Sequence, residues 1–171
     1  MYNGKMGIAI ILVLLNFVVI SSCVTEPGSG VTDPDSGLLI TVGDGSASPG
    51  AKNVSVSVTM DNADPVRGIQ MDICDDGNYL TCTGCENSMR TSDLNCQFNE
   101  LSNGCTRIIL VSLSGDSIDA GMGPIFSFNY DVADDAPSAE CVNLTPVETK
   151  ISDENKSFLD ATVEQGEFCI D

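Results

Sequence analysis

From Leu38 onward the chain alternates apolar and polar positions with a period of two. Lys52 to Met60 shows it most cleanly: Val54, Val56, Val58 and Met60 face one way, and Asn53, Ser55, Ser57 and Thr59 the other. That is the signature of a strand with one buried and one solvated side. Gly68 to Asp75 repeats it, with Ile69, Met71 and Ile73 opposed to Gln70, Asp72 and Cys74. Ile125 to Val132 places Phe126, Phe128, Tyr130 and Val132 together, and Cys141 to Val147 places Val142 with Leu144. Leu38 to Val42, Tyr79 to Thr83, Asp93 to Glu100 and Gly166 to Ile170 are shorter candidates. Cys105 to Leu113 holds the continuous apolar run Ile108 to Val111, which predicts a strand buried on both faces. Turn formers separate these runs: Ser46 to Gly50, Asp61 to Pro65, Asp75-Asp76-Gly77-Asn78, Gly84 to Ser92, Asn103-Gly104, Ser114 to Gly123 and Ala133 to Ser138. No stretch of helical length carries a 3.6-residue period. The pattern predicts an all-β domain, an antiparallel jelly-roll β-sandwich of about nine strands, over residues 38–171.

The first 37 residues break this pattern. Lys5 precedes the apolar run Ile8 to Ile20, which has the length of a secretory h-region and is short for a membrane span. Ile20-Ser21-Ser22-Cys23 then looks like a bacterial lipobox. Residues 1–22 read as a lipoprotein signal peptide and Cys23 as the lipid attachment site. An ordinary cleaved signal and an uncleaved anchor helix are the alternatives. Val24 to Gly37 is rich in Pro, Gly, Ser, Thr and acids, so residues 23–37 read as the lipidated Cys and a flexible acidic linker. Asp33-Pro34-Asp35 lacks the downstream spacing of a calcium loop. The expected location is exported, membrane-anchored through lipid alone, outside the cytoplasm or on the cell surface.

Charge and missing residue types narrow the function. The net charge of −18 repels nucleic acid and anionic lipid, leaving cations and protein surfaces as partners. With no His, the commonest general base and zinc ligand are gone, and with no Trp the strongest stacking platform. These absences argue for a non-enzyme without metal or cofactor.

Seven cysteines follow Cys23: Cys74, Cys82, Cys85, Cys96, Cys105, Cys141 and Cys169. In an exported chain they are disulfide candidates, and the odd number leaves at least one thiol over. Cys96 and Cys105 flank the Asn103-Gly104 turn and could staple it; Cys74 and Cys141, both on polar faces, could also meet. Connectivity stays open. Cys82-Thr83-Gly84-Cys85 has redox or half-zinc-site spacing, but no helix follows it and no second close pair exists.

The run GIQMDICDDGNYLTCTGC, Gly68 to Cys85, resembles the third and fourth strands of cohesin modules, with Gly68, Ile69, Met71, Ile73, Asp76, Leu80, Cys82 and Gly84 on the family frame. Gly104 to Gly115 resembles the family's strand before a Gly-rich loop, Gly123 to Val132 the strand after it, and Leu38 to Met60 the opening pair. Asp75 and Gly77 stand where the family usually has Tyr and Pro. The resemblance implies a nine-stranded, non-catalytic jelly roll that binds dockerins, the calcium-loop domains of polysaccharide-degrading enzymes. Any calcium would then enter through the partner, and Gln70 and Asp72, outward on the third strand, would be partner contacts. Three other readings compete: a carbohydrate-binding module, a redox or metal enzyme at the cysteines, and a surface structural or adhesion lipoprotein without a dockerin partner. The first usually needs a planar row of exposed aromatics, whereas Tyr79 and Tyr130 are the only tyrosines outside residues 1–22 and Tyr130 shares an apolar strand face with Phe126 and Phe128.

Overall fold

The computed structural model describes residues 37–171, so the signal peptide, Cys23 and the linker lie outside the described residues. Twelve strands follow in order: β1 (Leu38–Val42), β2 (Gly45–Ala47), β3 (Val54–Asn62), β4 (Gly68–Asp75), β5 (Leu80–Asn87), β6 (Asn95–Glu100), β7 (Thr106–Val111), β8 (Gly121–Val132), β9 (Glu140–Ser152), β10 (Phe158–Leu159), β11 (Thr162–Glu164) and β12 (Gly166–Ile170). A 3₁₀ turn at Met89–Thr91 precedes β6. One sheet runs β11-β1-β3-β8-β5; the other runs β2-β12-β9-β4-β7-β6, with β10 paired to β9. Pairing is antiparallel except for β1 with β11 and β2 with β12. This is the jelly-roll β-sandwich that the period-two pattern predicts.

The inward residues meet between the sheets. Val56, Val58, Met60, Phe126, Phe128, Tyr130 and Val132 come from one sheet, and Met71, Ile73, Ile108, Leu110, Leu144 and Phe168 from the other. An aromatic chain crosses the layers: Phe128 meets Tyr130 edge-on at 5.0 Å, and Tyr130 meets Phe168 edge-on at 6.3 Å. Edge-to-face contact sets the positive rim of one ring on the negative face of the next.

Several local expectations change. Ser46 lies in β2 rather than in a turn. β5 continues through Gly84 and Cys85 to Asn87, where a loop is expected. A bulge between Cys82 and Gly84 makes this possible: Cys82 pairs with Tyr130 and Cys85 with Phe128, so both cysteines face inward despite odd spacing. β9 extends to Ser152, and β10 and β11 carry no signal of their own because two or three residues are too short to show a period. The Asn103-Gly104 hairpin forms, with Gly104 at φ +84°, a backbone region costly for any residue with a Cβ.

The disulfides are Cys74–Cys105, Cys85–Cys96 and Cys141–Cys169, with Cys82 left as a buried thiol. Cys96 therefore does not staple the Asn103-Gly104 turn, and Cys74 does not meet Cys141. Register explains both corrections. Ile73 pairs with Thr106, so Cys74 and Cys105 stand directly opposite, and Cys141 pairs with Cys169 on β12. Cys85 and Cys96 lie on β5 and β6, the edge strands of opposite sheets, so their bond closes one side of the sandwich. Replacing both by Ser is expected to cost about 2–3 kcal/mol, from the unfolded-chain entropy of closing an 11-residue separation. Urea titration measures it, and an unchanged midpoint would show that the edge needs no covalent tie.

Candidate functional site

The two sheets differ in what they turn outward. On the β11-β1-β3-β8-β5 sheet, Thr41 opposes Thr59, Ser57 opposes Ser127, Ser127 opposes Glu86, and Ser55 opposes Asn129. Hydroxyls and acids of this kind are a solvated surface.

The outward side of β10-β9-β4-β7-β6 is built otherwise, and its registers define rows across the strands. Phe158, Ser152, Gly68, Val111 and Asn95 make the first. Lys150, Gln70, Ile109 and Gln97 make the second, and Val147, Asp72, Arg107 and Asn99 the third. Thr145 and the Cys74–Cys105 bridge end the series. Phe158 is 77% exposed and Val147 38%, while Ile109 and Val111 are half-buried. Gly68 leaves a dip between Phe158 and Val111, part of a shallow groove of about 270 Å³ that Gln70, Ile109 and Lys150 also line. A Cβ at Gly68 would sit 3.2 Å from the Ser152 hydroxyl and fill the floor.

Asp72 lies at the middle of the face, and its carboxylate accepts two hydrogen bonds from Arg107, from Nε at 2.6 Å and from an Nη at 2.7 Å. Asp72 is almost wholly covered, with its side chain 4% exposed against 36% for Arg107. The bidentate geometry fixes the guanidinium plane and leaves its far edge open. Gln70 thus stands outward as expected, whereas Asp72 is shielded and acts by holding Arg107. Lys150 is exposed and makes no ion pair among the described residues. The edge strand adds only neutral amides: Asn95, Gln97 and Asn99.

The expectation that β7 is buried on both faces is wrong. Ile108 and Leu110 are buried, but Arg107, Ile109 and Val111 reach the surface. A continuous apolar run arises when a strand is covered twice, and equally when its outer side is an uncovered contact surface. Periodicity does not separate the two, and the missed site residues Ile109 and Val111 sit in that ambiguity.

The acidic turn after β4 is structural. The Asp75 carboxylate accepts hydrogen bonds from the Tyr79 amide at 2.7 Å and the Leu80 amide at 3.3 Å. Asp76 binds the backbone and side-chain nitrogens of Asn143. Burial raises the Asp75 pKa, against the pull of those amides. Between the ordinary carboxylate value and the raised one, the unfolded chain has lost the proton while the folded chain still holds it. Stability therefore falls as pH rises through that window. Asp75→Asn keeps an acceptor for both amides and removes the charge. It is expected to be at least as stable as the parent at pH 7, with the advantage vanishing toward pH 3. Urea titrations across pH check this, and a less stable Asn variant at pH 7 would refute it.

Among the described residues the cysteines offer no reactive pair. Cys82 is buried, with its pKa pushed up to about 11 by burial, and its CxxC partner Cys85 is bonded to Cys96. Glu167 lies beside Cys141 and Cys169, but both sulfurs are spent in a disulfide.

A jelly-roll module whose β10-β9-β4-β7-β6 sheet turns aliphatics and amides outward is the class these features define. Within that class the fold is that of the cohesins, and residues 37–171 form a cohesin-like domain. The chain is similar to CaCohA2 from Clostridium acetobutylicum, at 23% identity and TM-score 0.62 over 78% of this chain and 90% of that one. It is similar to a non-cellulosomal cohesin from the archaeon Archaeoglobus fulgidus, at 19% and 0.65 over 78% and 91%. It also matches the sixth cohesin of Acetivibrio cellulolyticus scaffoldin B, solved in complex with a mutant Cel5 dockerin, at 13% and 0.67 over 79% and 99%. No protein-family model and no curated protein sequence matches the chain.

Proposed function

We propose that this domain is a non-catalytic protein-binding module that captures a dockerin-like domain on the outer side of the β9-β4-β7-β6 sheet. The carrying observation is the contrast between a net charge of −18 and a face that bears aliphatics and amides, with its charges limited to Lys150, the internally paired Asp72 and Arg107, and Glu148 in the β9 bulge beside Arg107. Depletion of charge at the centre, with apolar groups exposed, is how recognition surfaces differ from ordinary surface. The cohesin fold supports the kind of partner, because a cohesin of this shape has been solved with a dockerin bound. Arg107, held by Asp72, offers a fixed donor to a carbonyl or carboxylate of the partner, and Gln70 a neutral one. A lipid at Cys23 would hold the module outside the membrane, and cargo enzymes acting on polysaccharide would be what it retains there.

The test is calorimetry of residues 24–171 against dockerin domains from the same cells' exported proteins, with calcium and with chelator. The expected result is a one-to-one complex with calcium and none with chelator. Retention on cellulose or chitin with no dockerin captured would replace this reading with the carbohydrate-binding one.

A further inference from the structure

We infer that Asn155, at the tip of the β9–β10 hairpin, is the acceptor of an N-linked glycan. The chain holds three Asn-x-Ser/Thr triplets: Asn53-Val54-Ser55, Asn143-Leu144-Thr145 and Asn155-Lys156-Ser157. Such a triplet is modified only where the amide nitrogen is free, the hydroxyl two residues on is accessible, and the local backbone can enter a transferase. The fold meets these conditions at one of the three.

Asn143 fails on its nitrogen and on its backbone. It lies inside β9, paired with Glu167 of β12. Its Nδ2 donates to Asp76 at 3.0 Å, and its Oδ1 accepts from Gln165 at 3.1 Å. Asn53 is exposed just ahead of β3, but Val54 and Ser55 are already paired with Tyr130 and Asn129 in an interior strand. Engaging that triplet would unzip the start of β3.

Asn155 is different. β9 ends at Ser152 and β10 begins at Phe158, so the whole triplet lies in the turn. The turn closes through the Asp153 amide donating to the Ser157 carbonyl and the Lys156 amide donating to the Asp153 carbonyl. Lys156 at φ +67° bends the chain so that Asn155, Lys156 and Ser157 are all exposed. Neither the Asn155 amide nor the Ser157 hydroxyl makes a hydrogen bond among the described residues; Ser157 is tied only through its backbone, its nitrogen donating to the Asp153 carboxylate and its carbonyl accepting from the Asp153 amide. Three disulfides match the oxidising compartments in which N-glycosylation takes place.

The donor would be a lipid-linked oligosaccharide. A bond forms between Asn155 Nδ2 and the anomeric carbon of the first sugar. The carbon–oxygen bond to the polyprenyl phosphate or pyrophosphate breaks, the lipid phosphate leaves with the electron pair, and Nδ2 gives up one proton.

The test uses the full-length protein purified from the cells that make it, with intact-mass and peptide mass spectrometry. A sugar-mass increment is expected on the Asn155 peptide, with Asn143 unmodified. Asn155→Gln and Ser157→Ala should lose the increment and Ser157→Thr should keep it, and all three lie in an exposed turn outside the core. An Asn155 peptide found only unmodified, or sugar confined to Asn53 or Asn143, would overturn the assignment.

Discussion

Ile109→Asp is expected to weaken partner capture by about 100-fold or more, roughly 3 kcal/mol, while the domain stays folded. Ile109 sits between Gln70 and Gln97 at the middle of the uncovered face, and its side chain points away from the core. The substitution removes an aliphatic contact and introduces a carboxylate that complex formation would strip of water. A desolvated charge without a partner is among the costliest defects an interface can carry. Ser57→Asp is the matched control: it lies on the outer side of the other sheet, opposite Ser127, and should leave the affinity unchanged. Calorimetry gives the affinities, and thermal melts followed by circular dichroism show whether both variants fold. If Ser57→Asp abolished binding and Ile109→Asp did not, the docking face would be the opposite sheet.

Arg90→Ala is expected to cost about 3–5 kcal/mol of stability. Arg90 reaches from the 3₁₀ turn across the sandwich end, while Thr91 beside it donates its hydroxyl to the Ile125 carbonyl. Its guanidinium donates to the carbonyls of Met60 at 2.9 Å, Gly123 at 3.2 Å, Asp119 at 2.9 Å and Gly121 at 3.0 Å, and to Asn62 Oδ1 at 2.7 Å. Asn62 is itself buried, and its amide nitrogen donates to the carbonyls of Asp64 and Asp119. One cation thus satisfies carbonyls from β3, from the start of β8 and from the loop before it. Removing it leaves several covered acceptors without donors and frees the 3₁₀ turn from the end of β3. Lys should rescue only part of the loss, because a single ammonium cannot span five acceptors arranged around a planar fork. Denaturant unfolding measures both variants. An Arg90→Ala protein as stable as the parent would mean that water replaces the guanidinium without penalty.

Arg90 also marks where sequence reading stops. Nothing around Met89-Arg90-Thr91 distinguishes it from an ordinary surface arginine, because its acceptors lie 28 to 33 residues away along the chain. The disulfides tell the same story. Both plausible pairings inferred from strand ends fail, since the true pairs are set by register: Ile73 against Thr106, and Cys141 against Cys169. The bulge that turns Cys82 and Cys85 to the same side is invisible in spacing alone. The face itself was half legible. Gln70 and Asp72 fall outward by parity, but that Asp72 is shielded and works through Arg107 depends on which strand lies beside β4.

Local order belongs to the sequence. Alternation, turn formers and the absence of a helical period determine the strands and the all-β class, because a strand's two faces are written residue by residue in its own side chains. The cohesin resemblance follows from the same spacing. Neighbour relations belong to the tertiary structure. Which strands pair, and in what register, decide the disulfides, the Arg90 clasp and the gathering of Phe158, Val111, Ile109 and Val147 on one face beside a fixed Arg107. Each of these brings together residues remote in sequence, and one residue of register shift would turn every one of them to the other side of its sheet.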